Sequence, residues 1–157
     1  MVQVVEMDQA LDPNASRKAW MGLLAKAPVG RVSALLDAAM PRPGFTWLRA
    51  PEIGSTMVQG RAGGTGAPFH LGEMTVTRCA LTLETGEVGH AYIQGRRKQD
   101  AEAAALVDAL MQTQVADTLR AAVLIPLEQE IDTAKATRAA KAAATKVDFF
   151  TMVRGED

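Results

Sequence analysis

Residues 73–111 read EMTVTRCALTLETGEVGHAYIQGRRKQDAEAAALVDALM, and this stretch decides the fold. Residues 73–84 and 88–94 are rich in apolar and β-branched side chains, and residues 84–87 between them are typical of a hairpin turn. From Lys98 the apolar residues follow a helical period instead. They are Ala103, Leu106, Val107, Leu110 and Met111. The stretch therefore predicts an antiparallel hairpin followed by a helix that covers it.

The register of this hairpin follows from the length of its turn. A two-residue loop would set Leu83 opposite Val88, Leu81 opposite His90 and Cys79 opposite Tyr92, with all six on one buried face. Met74 and Val76 nevertheless have the opposite parity to these residues, which a regular strand does not allow on one face. We therefore predict a bulge or sharp bend near Thr77 and Arg78.

The rest of the chain adds strands and helices on both sides of this unit. Strands are predicted at residues 45–49 and 56–61. A helical pair is predicted before them, the first helix opening at Asp12-Pro13 and ending at Pro28, the second covering residues 29–40. Helices are predicted at residues 115–123 and, past Pro126, at the alanine-rich residues 127–144.

These elements predict a single α+β domain over residues 1–157. It consists of an N-terminal helical pair, a four-stranded antiparallel sheet with a covering helix, a long C-terminal helix and an extended tail at residues 146–157. Residues 1–11 are predicted to be flexible. The tail is apolar where a terminus is normally polar, so we expect it to dock on a partner. The residues expected to make that contact are Val147, Phe149, Phe150, Met152, Val153 and Arg154.

Composition and charge exclude several classes of function. With 17 Lys+Arg against 18 Asp+Glu, the net charge of −1 offers no basic field for nucleic acid. The longest apolar run, residues 121–125, is far shorter than the roughly 20 residues of a membrane span. Residues 1–11 lack the basic cluster and apolar stretch of a signal peptide. A single cysteine, Cys79, suits a reducing compartment, so a cytoplasmic location is expected.

Two basic segments could bind an anion. The loop around Arg61, Gly63, Gly64, Thr65 and Gly66 could present backbone amides to a phosphate, although a glycine-rich turn between strands is the simpler interpretation. Arg96 and Lys98 lie where a helix begins and could bind phosphate there, or they could belong to a solvated helix start. Three adjacent cations, with Arg97 between them, cannot all face one way.

Other chemistry finds little support in the residues. His70, Cys79 and His90 are nine and eleven residues apart and lack the local pairing of a zinc site, so no metal is expected. No serine lies in the Gly-x-Ser-x-Gly context of a hydrolase, and no carboxylate is singled out as an acid or base.

Three motifs carry a resemblance to a known family. They are residues 61–66 followed by Phe69, then Gln94-Gly95-Arg96 with Lys98 and residues 101–111, and finally residues 147–155. Through them, the chain from about Ala19 to Arg154 resembles the G subunit of the bacterial carbon-phosphorus lyase core complex. Arg97 departs from the pattern, in which an acidic residue is expected after the Gly-Arg pair.

The resemblance implies assembly with the H, I and J subunits, with the L subunit joining transiently. It implies a complex that displaces adenine from ATP with a phosphonate to form α-D-ribose 1-methylphosphonate 5-triphosphate. ATP is then a substrate of the complex, and this chain alone binds no cofactor. The leading hypothesis is an accessory or non-catalytic subunit that is inactive alone. The alternative is a nucleotide- or triphosphate-binding module that contributes Arg61 and Arg96 to a shared active site.

Overall fold

The computed structural model describes residues 14–147. The predictions for residues 1–13, including the helix start at Asp12-Pro13, concern residues outside this range. The elements in chain order are α1 (Ala15–Ala25), α2 (Arg31–Ala39), β1 (Phe45–Arg61), a 3-10 turn (Ala62–Gly64), β2 (Pro68–Leu83), β3 (Val88–Gln94), α3 (Lys98–Leu110), α4 (Ala116–Leu119), a π-helical segment (Arg120–Leu124) and α5 (Ile125–Ala144). The α+β class and the N-terminal helical pair are confirmed.

The sheet has three antiparallel strands in the order β1-β2-β3, so the prediction of four strands is wrong. The two segments predicted at residues 45–49 and 56–61 are parts of the single strand β1. Pro51 and Gly54, which suggested a break, lie inside this strand. β1 is an edge strand, where a proline costs little, and register shifts on either side of Arg49 absorb the irregularity.

The predicted hairpin register is wrong by one residue. Leu81 pairs with Gly89 and Cys79 with Ala91, because the turn has three residues instead of two. The Leu83 amide donates to the Glu87 carbonyl at 2.9 Å, and Gly86 has the positive φ of 105° that such a three-residue turn requires. A shift of one residue moves every side chain of β3 to the other face. His90 and Tyr92 are therefore exposed, whereas Ala91 and Ile93 are buried.

The bulge predicted near Thr77 and Arg78 is also wrong in its place. The pairing of β2 with β3 is unbroken from Val76 to Thr82, and the extra residues lie in β1, opposite residues 78–81. β2 keeps its alternation and buries apolar side chains on both faces. Its odd-numbered residues from Thr77 to Leu83 are buried on the face that α3 covers, and Val76 is buried on the opposite face.

α3 is the centre of the core, and its position over the sheet is as predicted. All residues from Ala103 to Met111 are buried, which is the pattern of a helix surrounded by protein. The sheet packs on one side of α3, and α1, α2 and α4 pack on the others. A Cβ atom placed on Gly89 would lie 1.9 Å from the Ala105 carbonyl oxygen, so β3 and α3 are in direct backbone contact.

Pro126 does not separate two helices as predicted. Helical structure runs from Ala116 to Ala144, and a π-helical segment, Arg120–Leu124, stands just before the proline. A proline removes a hydrogen bond to the fourth residue before it and clashes with that carbonyl, and a π-turn relieves both effects. No helix within residues 14–147 is long and apolar enough to span a membrane.

Candidate functional site

A two-stranded arm projects beyond the three-stranded part of the sheet. β3 ends at Gln94, which pairs with Val76, whereas β1 and β2 continue together to Arg61 and Pro68. We call residues 53–61 and 68–75 the arm. A two-stranded hairpin is only marginally stable in water by itself. The arm therefore has a structural reason to pack against something else.

The arm also concentrates exposed apolar side chains. Of the nine large apolar side chains exposed within residues 14–147, four lie on the arm, so exposure is not spread evenly over the surface. They are Ile53, Met57, Phe69 and Leu71. Clusters of this kind mark contact surfaces more often than single exposed residues do.

One face of the arm is apolar along its length because of a bulge. Leu71 is an extra residue in β2, since Val58 pairs with Gly72 and Gln59 with His70. As a result Phe69 and Leu71 both lie beside Gly60, where an added Cβ would be 3.4 Å from the Phe69 ring and 3.7 Å from the Leu71 Cβ. By alternation this is also the face of Val58 and Met74. We call Val58, Phe69, Leu71 and Met74 the apolar arm face.

The glycine loop, predicted as a possible anion site, forms the tip of the arm. Gly63 and Gly64 have positive φ values of 61° and 80°, and a Cβ on Gly66 would lie 2.7 Å from the Ala62 carbonyl oxygen. That oxygen accepts hydrogen bonds from the amides of Thr65 and Gly66. The glycines are thus explained by the turn itself.

Arg61 is exposed and donates to the Gly66 carbonyl at 3.1 Å, so its side chain closes the loop. Thr65 is exposed beside it. Anion binding by this loop stays a prediction.

The three cations of the second basic segment, residues 96–98, do not all face the same way, as expected for adjacent residues. Arg97 turns inward, where its side chain donates to the carbonyls of Gln94 and Ala27, both at 2.9 Å, and forms an ion pair with Asp100 at 3.3 Å. Arg96 and Lys98 are exposed, and within residues 14–147 neither forms an ion pair. Arg97, which departs from the family pattern, therefore makes structural contacts within the chain.

The two predicted anion-binding segments lie far apart. The Gly95 amide donates to the Thr75 carbonyl, which places Arg96 at the base of the arm. From Thr75 to Pro68, at the tip, β2 extends seven residues, which is about 23 Å of strand. Arg61 and Arg96 do not meet at one triphosphate within this chain.

The C-terminal helix α5 also leaves the core. Leu127 is buried and Arg31 binds Glu130 through both of its carboxylate oxygens, but residues 132–147 are all exposed. This length of helix extends about 20 Å. Val147, the first predicted tail contact, is 66% exposed, and Phe149, Phe150, Met152, Val153 and Arg154 lie outside the described residues.

The buried charged group that the sequence did not reveal is Asp108. Its side chain is fully buried and accepts hydrogen bonds from the guanidinium of Arg17 at 2.7 and 3.1 Å, from the Trp20 indole at 2.8 Å and from the His90 amide at 2.9 Å. An aspartate with so many fixed donors joins α1, α3 and β3. It is a structural group, because its acceptor positions are occupied by the protein.

His70, Cys79 and His90, the possible metal ligands considered in the sequence, do not form a common site in residues 14–147. Cys79 is buried, its thiol lies 3.2 Å from the Ala101 carbonyl, and burial raises its pKa to about 12. His70 is exposed on the arm and His90 on the open face of the sheet. Within residues 14–147, no cluster of three or more histidine, cysteine or carboxylate side chains could hold a metal ion.

The fold and its surfaces define an α+β domain with two projections, the arm and α5, that its own described core does not cover. The family described as phosphonate metabolism protein PhnG matches residues 15–155, and the chain belongs to this family. A relative from Rhizobium meliloti (strain 1021), the alpha-D-ribose 1-methylphosphonate 5-triphosphate synthase subunit PhnG, is 44% identical over 143 residues. The match covers 91% of this chain and 92% of the relative.

Proposed function

We propose that this protein is an accessory subunit of an α-D-ribose 1-methylphosphonate 5-triphosphate synthase in phosphonate catabolism, and that it is inactive alone. The observation that carries the proposal is the arm, an exposed two-stranded projection with an apolar face. The name of the relative supplies the identity of the complex. The resemblance to the carbon-phosphorus lyase core complex suggests the H, I and J subunits as partners, with ATP as the substrate of the complex. A cytoplasmic location stays a prediction.

The energetics of the arm support an assembly role. Fully burying one large apolar side chain contributes about 1.5–3 kcal/mol, and the apolar arm face offers several such side chains on two strands that are already paired. Preformed strands lose less conformational freedom on binding than a disordered segment would. Residues 68–75 of β2 are not paired with β3. A partner strand could therefore add to this edge of β2 as well.

The experiment that tests the proposal is Leu71→Glu in the full chain, co-expressed with the partner subunits. Leu71 is 66% exposed, so a charge there should leave the fold intact but place a carboxylate in an apolar contact. We expect affinity for the partner subunits to fall at least about tenfold, measured by quantitative co-purification and by synthase activity of the reconstituted complex.

The matched control is Gln114→Glu, which adds the same charge at an exposed position outside the arm. We expect near-normal assembly for this variant, and an unchanged melting temperature for both. Wild-type assembly and activity of the Leu71→Glu complex would contradict the proposal.

The alternative function is a phosphate-binding contribution to a shared active site. It is favoured by Arg96 and Lys98, which are exposed at the start of α3, a helix whose first turn has no side-chain cap. Because Arg61 and Arg96 are far apart, only one of them could meet a given triphosphate in this chain. The accessory role predicts that calorimetry of the isolated chain with ATP detects no micromolar binding. Micromolar binding that Arg96→Ala abolishes and Arg61→Ala preserves would favour the alternative.

A further inference from the structure

The strand β3 ends at a point that the fold fixes. Gly95, the next residue, has a φ of 87° and turns the chain towards α3. Thr77 holds this turn, because its hydroxyl donates to the Gly95 carbonyl at 2.7 Å and accepts from the Arg97 amide at 2.9 Å. Among residues 14–147, no strand continues in line with β3 beside the arm. The place of a third strand is therefore open there.

The edge of β2 that faces this place has unpaired backbone groups. The Thr75 carbonyl accepts from the Gly95 amide, so the odd-numbered residues of β2 bond towards β3. Two residues along the strand, the amide and carbonyl of Glu73 point the same way by alternation. The bulge at Leu71 shifts the alternation by one residue, so that His70 faces outward next. Within residues 14–147 neither the Glu73 nor the His70 backbone has a hydrogen-bond partner on this side.

The free edge of β3, by contrast, is blocked by side chains. Arg17 donates to the Val88 carbonyl at 3.0 Å, and Asp108 accepts from the His90 amide at 2.9 Å. Side chains that cover an edge prevent another strand from adding to it. Residues 69–75 contain no lysine, arginine or proline, which commonly block an edge in other proteins. The fold thus protects one edge of the sheet and leaves the edge of the arm able to pair.

We propose that a β-strand of a partner subunit adds to β2 at residues 69–75 and becomes the third strand of the arm. An extended peptide presents amide and carbonyl groups at the spacing that this edge requires. A third strand also supplies the stability that a two-stranded hairpin lacks by itself. The proposal rests on the proposed function, because the strand belongs to another subunit of the synthase.

The side chains of the edge define the chemistry of the added strand. On the face of Leu71 and Met74 its side chains are apolar, since they extend the apolar arm face. On the other face Glu73 is exposed, and within residues 14–147 it forms no ion pair. A lysine or arginine beside Glu73 complements this charge. The partner strand is therefore apolar on one face and basic on the other.

Hydrogen–deuterium exchange of single amides tests the proposal. The isolated full chain is compared with the complex that it forms with the H, I and J subunits. We expect the amides of Glu73 and His70 to exchange at least about tenfold more slowly in the complex, because each gains an acceptor. The control amides are those of Ser55 and Met57, which pair with Thr75 and Glu73 and therefore point to the outer edge of β1. They should keep their exchange rates.

The outcomes separate this proposal from the proposed function. Unchanged exchange of the Glu73 and His70 amides in an assembled complex would overturn the strand pairing and leave the accessory role intact. Protection of the Ser55 and Met57 amides alone would place the partner on β1 and would also overturn it. Concentration-dependent protection in the isolated chain would show that a second copy of this chain occupies the edge, again contrary to the proposal. Failure to assemble at all would contradict the proposed function as well.

Proline substitution provides the second test. Glu73→Pro removes the outward amide without breaking a bond to β1, as a proline on an edge strand does. Ser55→Pro makes the same change at the other edge of the arm and is the matched control, whereas Glu73→Ala removes the carboxylate alone. We expect Glu73→Pro to lower the affinity for the partner subunits at least about tenfold, measured by quantitative co-purification.

The two control variants isolate the contribution of the amide. Glu73→Ala should lose less affinity than Glu73→Pro, and Ser55→Pro should stay close to wild type with the same melting temperature as Glu73→Pro. Equal affinities of the two proline variants would overturn the proposal. If Glu73→Pro assembles normally while Leu71→Glu does not, side-chain packing alone holds the arm, and the accessory role stands without strand addition.

Discussion

Replacing the buried Asp108 by alanine should lower the free energy of unfolding by about 3 kcal/mol, the lower end of the range for breaking a buried ion pair by removing one partner, because the Arg17 side chain that remains is 30% exposed. Asp108→Ala leaves the Arg17 guanidinium without its carboxylate, and it also removes the acceptor for Trp20 and for the His90 amide. Each buried donor left without a partner costs about 1–3 kcal/mol. Urea unfolding followed by fluorescence measures the change.

Two variants separate the charge from the hydrogen bonds. Asp108→Asn keeps the shape but presents an amide to donors, so we expect it to be nearly as destabilising. Arg17→Ala combined with Asp108→Ala should cost much less than the sum of the single changes, because the unpaired charge disappears with the arginine. Asp117→Ala, an exposed aspartate in α4, is the control and should stay within about 1 kcal/mol of wild type. A loss below about 1 kcal/mol for Asp108→Ala would contradict this account.

The role of Asp108 also explains why it escaped detection in the sequence. An aspartate in a helix is usually exposed, and its donors lie 18 to 91 residues away in sequence. Asp100 is similar, because its buried carboxylate accepts a hydrogen bond from the Gly30 amide at 3.0 Å, across 70 residues of sequence. Contacts between distant residues leave no local pattern.

The helices were predictable because their signal is local and periodic. The stripe from Ala103 to Met111 located α3, whereas the close approach of β3 occurs at Ala105 and Ala109, outside that stripe. The sheet was harder. A proline and a glycine inside β1 suggested two strands, because the sequence does not show that β1 lies at an edge. The register depended on one residue of loop length, which Gly86 decides through its backbone conformation.

Some features of the candidate sites were likewise predictable from local sequence, and others depend on the arrangement of distant residues. The expectation that Arg96, Arg97 and Lys98 cannot all face one way rests on local geometry, and Arg97 is indeed turned inward. The separation of Arg61 from Arg96 depends on the length of the arm, which appears only once β1 is known to be continuous. The apolar arm face was missed because the Leu71 bulge brings Phe69 and Leu71 onto the face of Met74 despite their different parity.

The arm and α5 both carry residues that the rest of the described chain, residues 14–147, does not bury. The alanine-rich α3 uses its small side chains within the core, whereas the alanines of α5 beyond Ile131 are exposed. Alanine sustains a helix without tertiary contacts better than other residues do, so α5 can be formed before any partner arrives. The arm and α5 therefore offer a partner preformed surfaces, which limits the entropy lost on assembly.

The contact between β3 and α3 leads to the second large effect. Gly89→Ala would place a methyl group 1.9 Å from the Ala105 carbonyl oxygen and 2.9 Å from the Ala109 Cβ. A backbone oxygen cannot rotate away, so α3 must shift from the sheet. Because α3 is surrounded by the core, the shift disturbs its packing on every side. Overpacking of a core costs about 1–3 kcal/mol, and we expect the upper end or more here.

The control for this prediction is Gly72→Ala, also in a strand, where an added Cβ meets nothing within 4 Å. It should change the free energy of unfolding by less than about 1 kcal/mol. Adding Ala109→Gly to Gly89→Ala removes only the side-chain contact and leaves the backbone clash, so the double variant should recover little stability. Full recovery would show that the Ala109 methyl, and not the Ala105 carbonyl, limits the approach of α3. A Gly89→Ala chain with the urea midpoint of Gly72→Ala would show that β3 and α3 can separate without loss, contrary to the packing of this core.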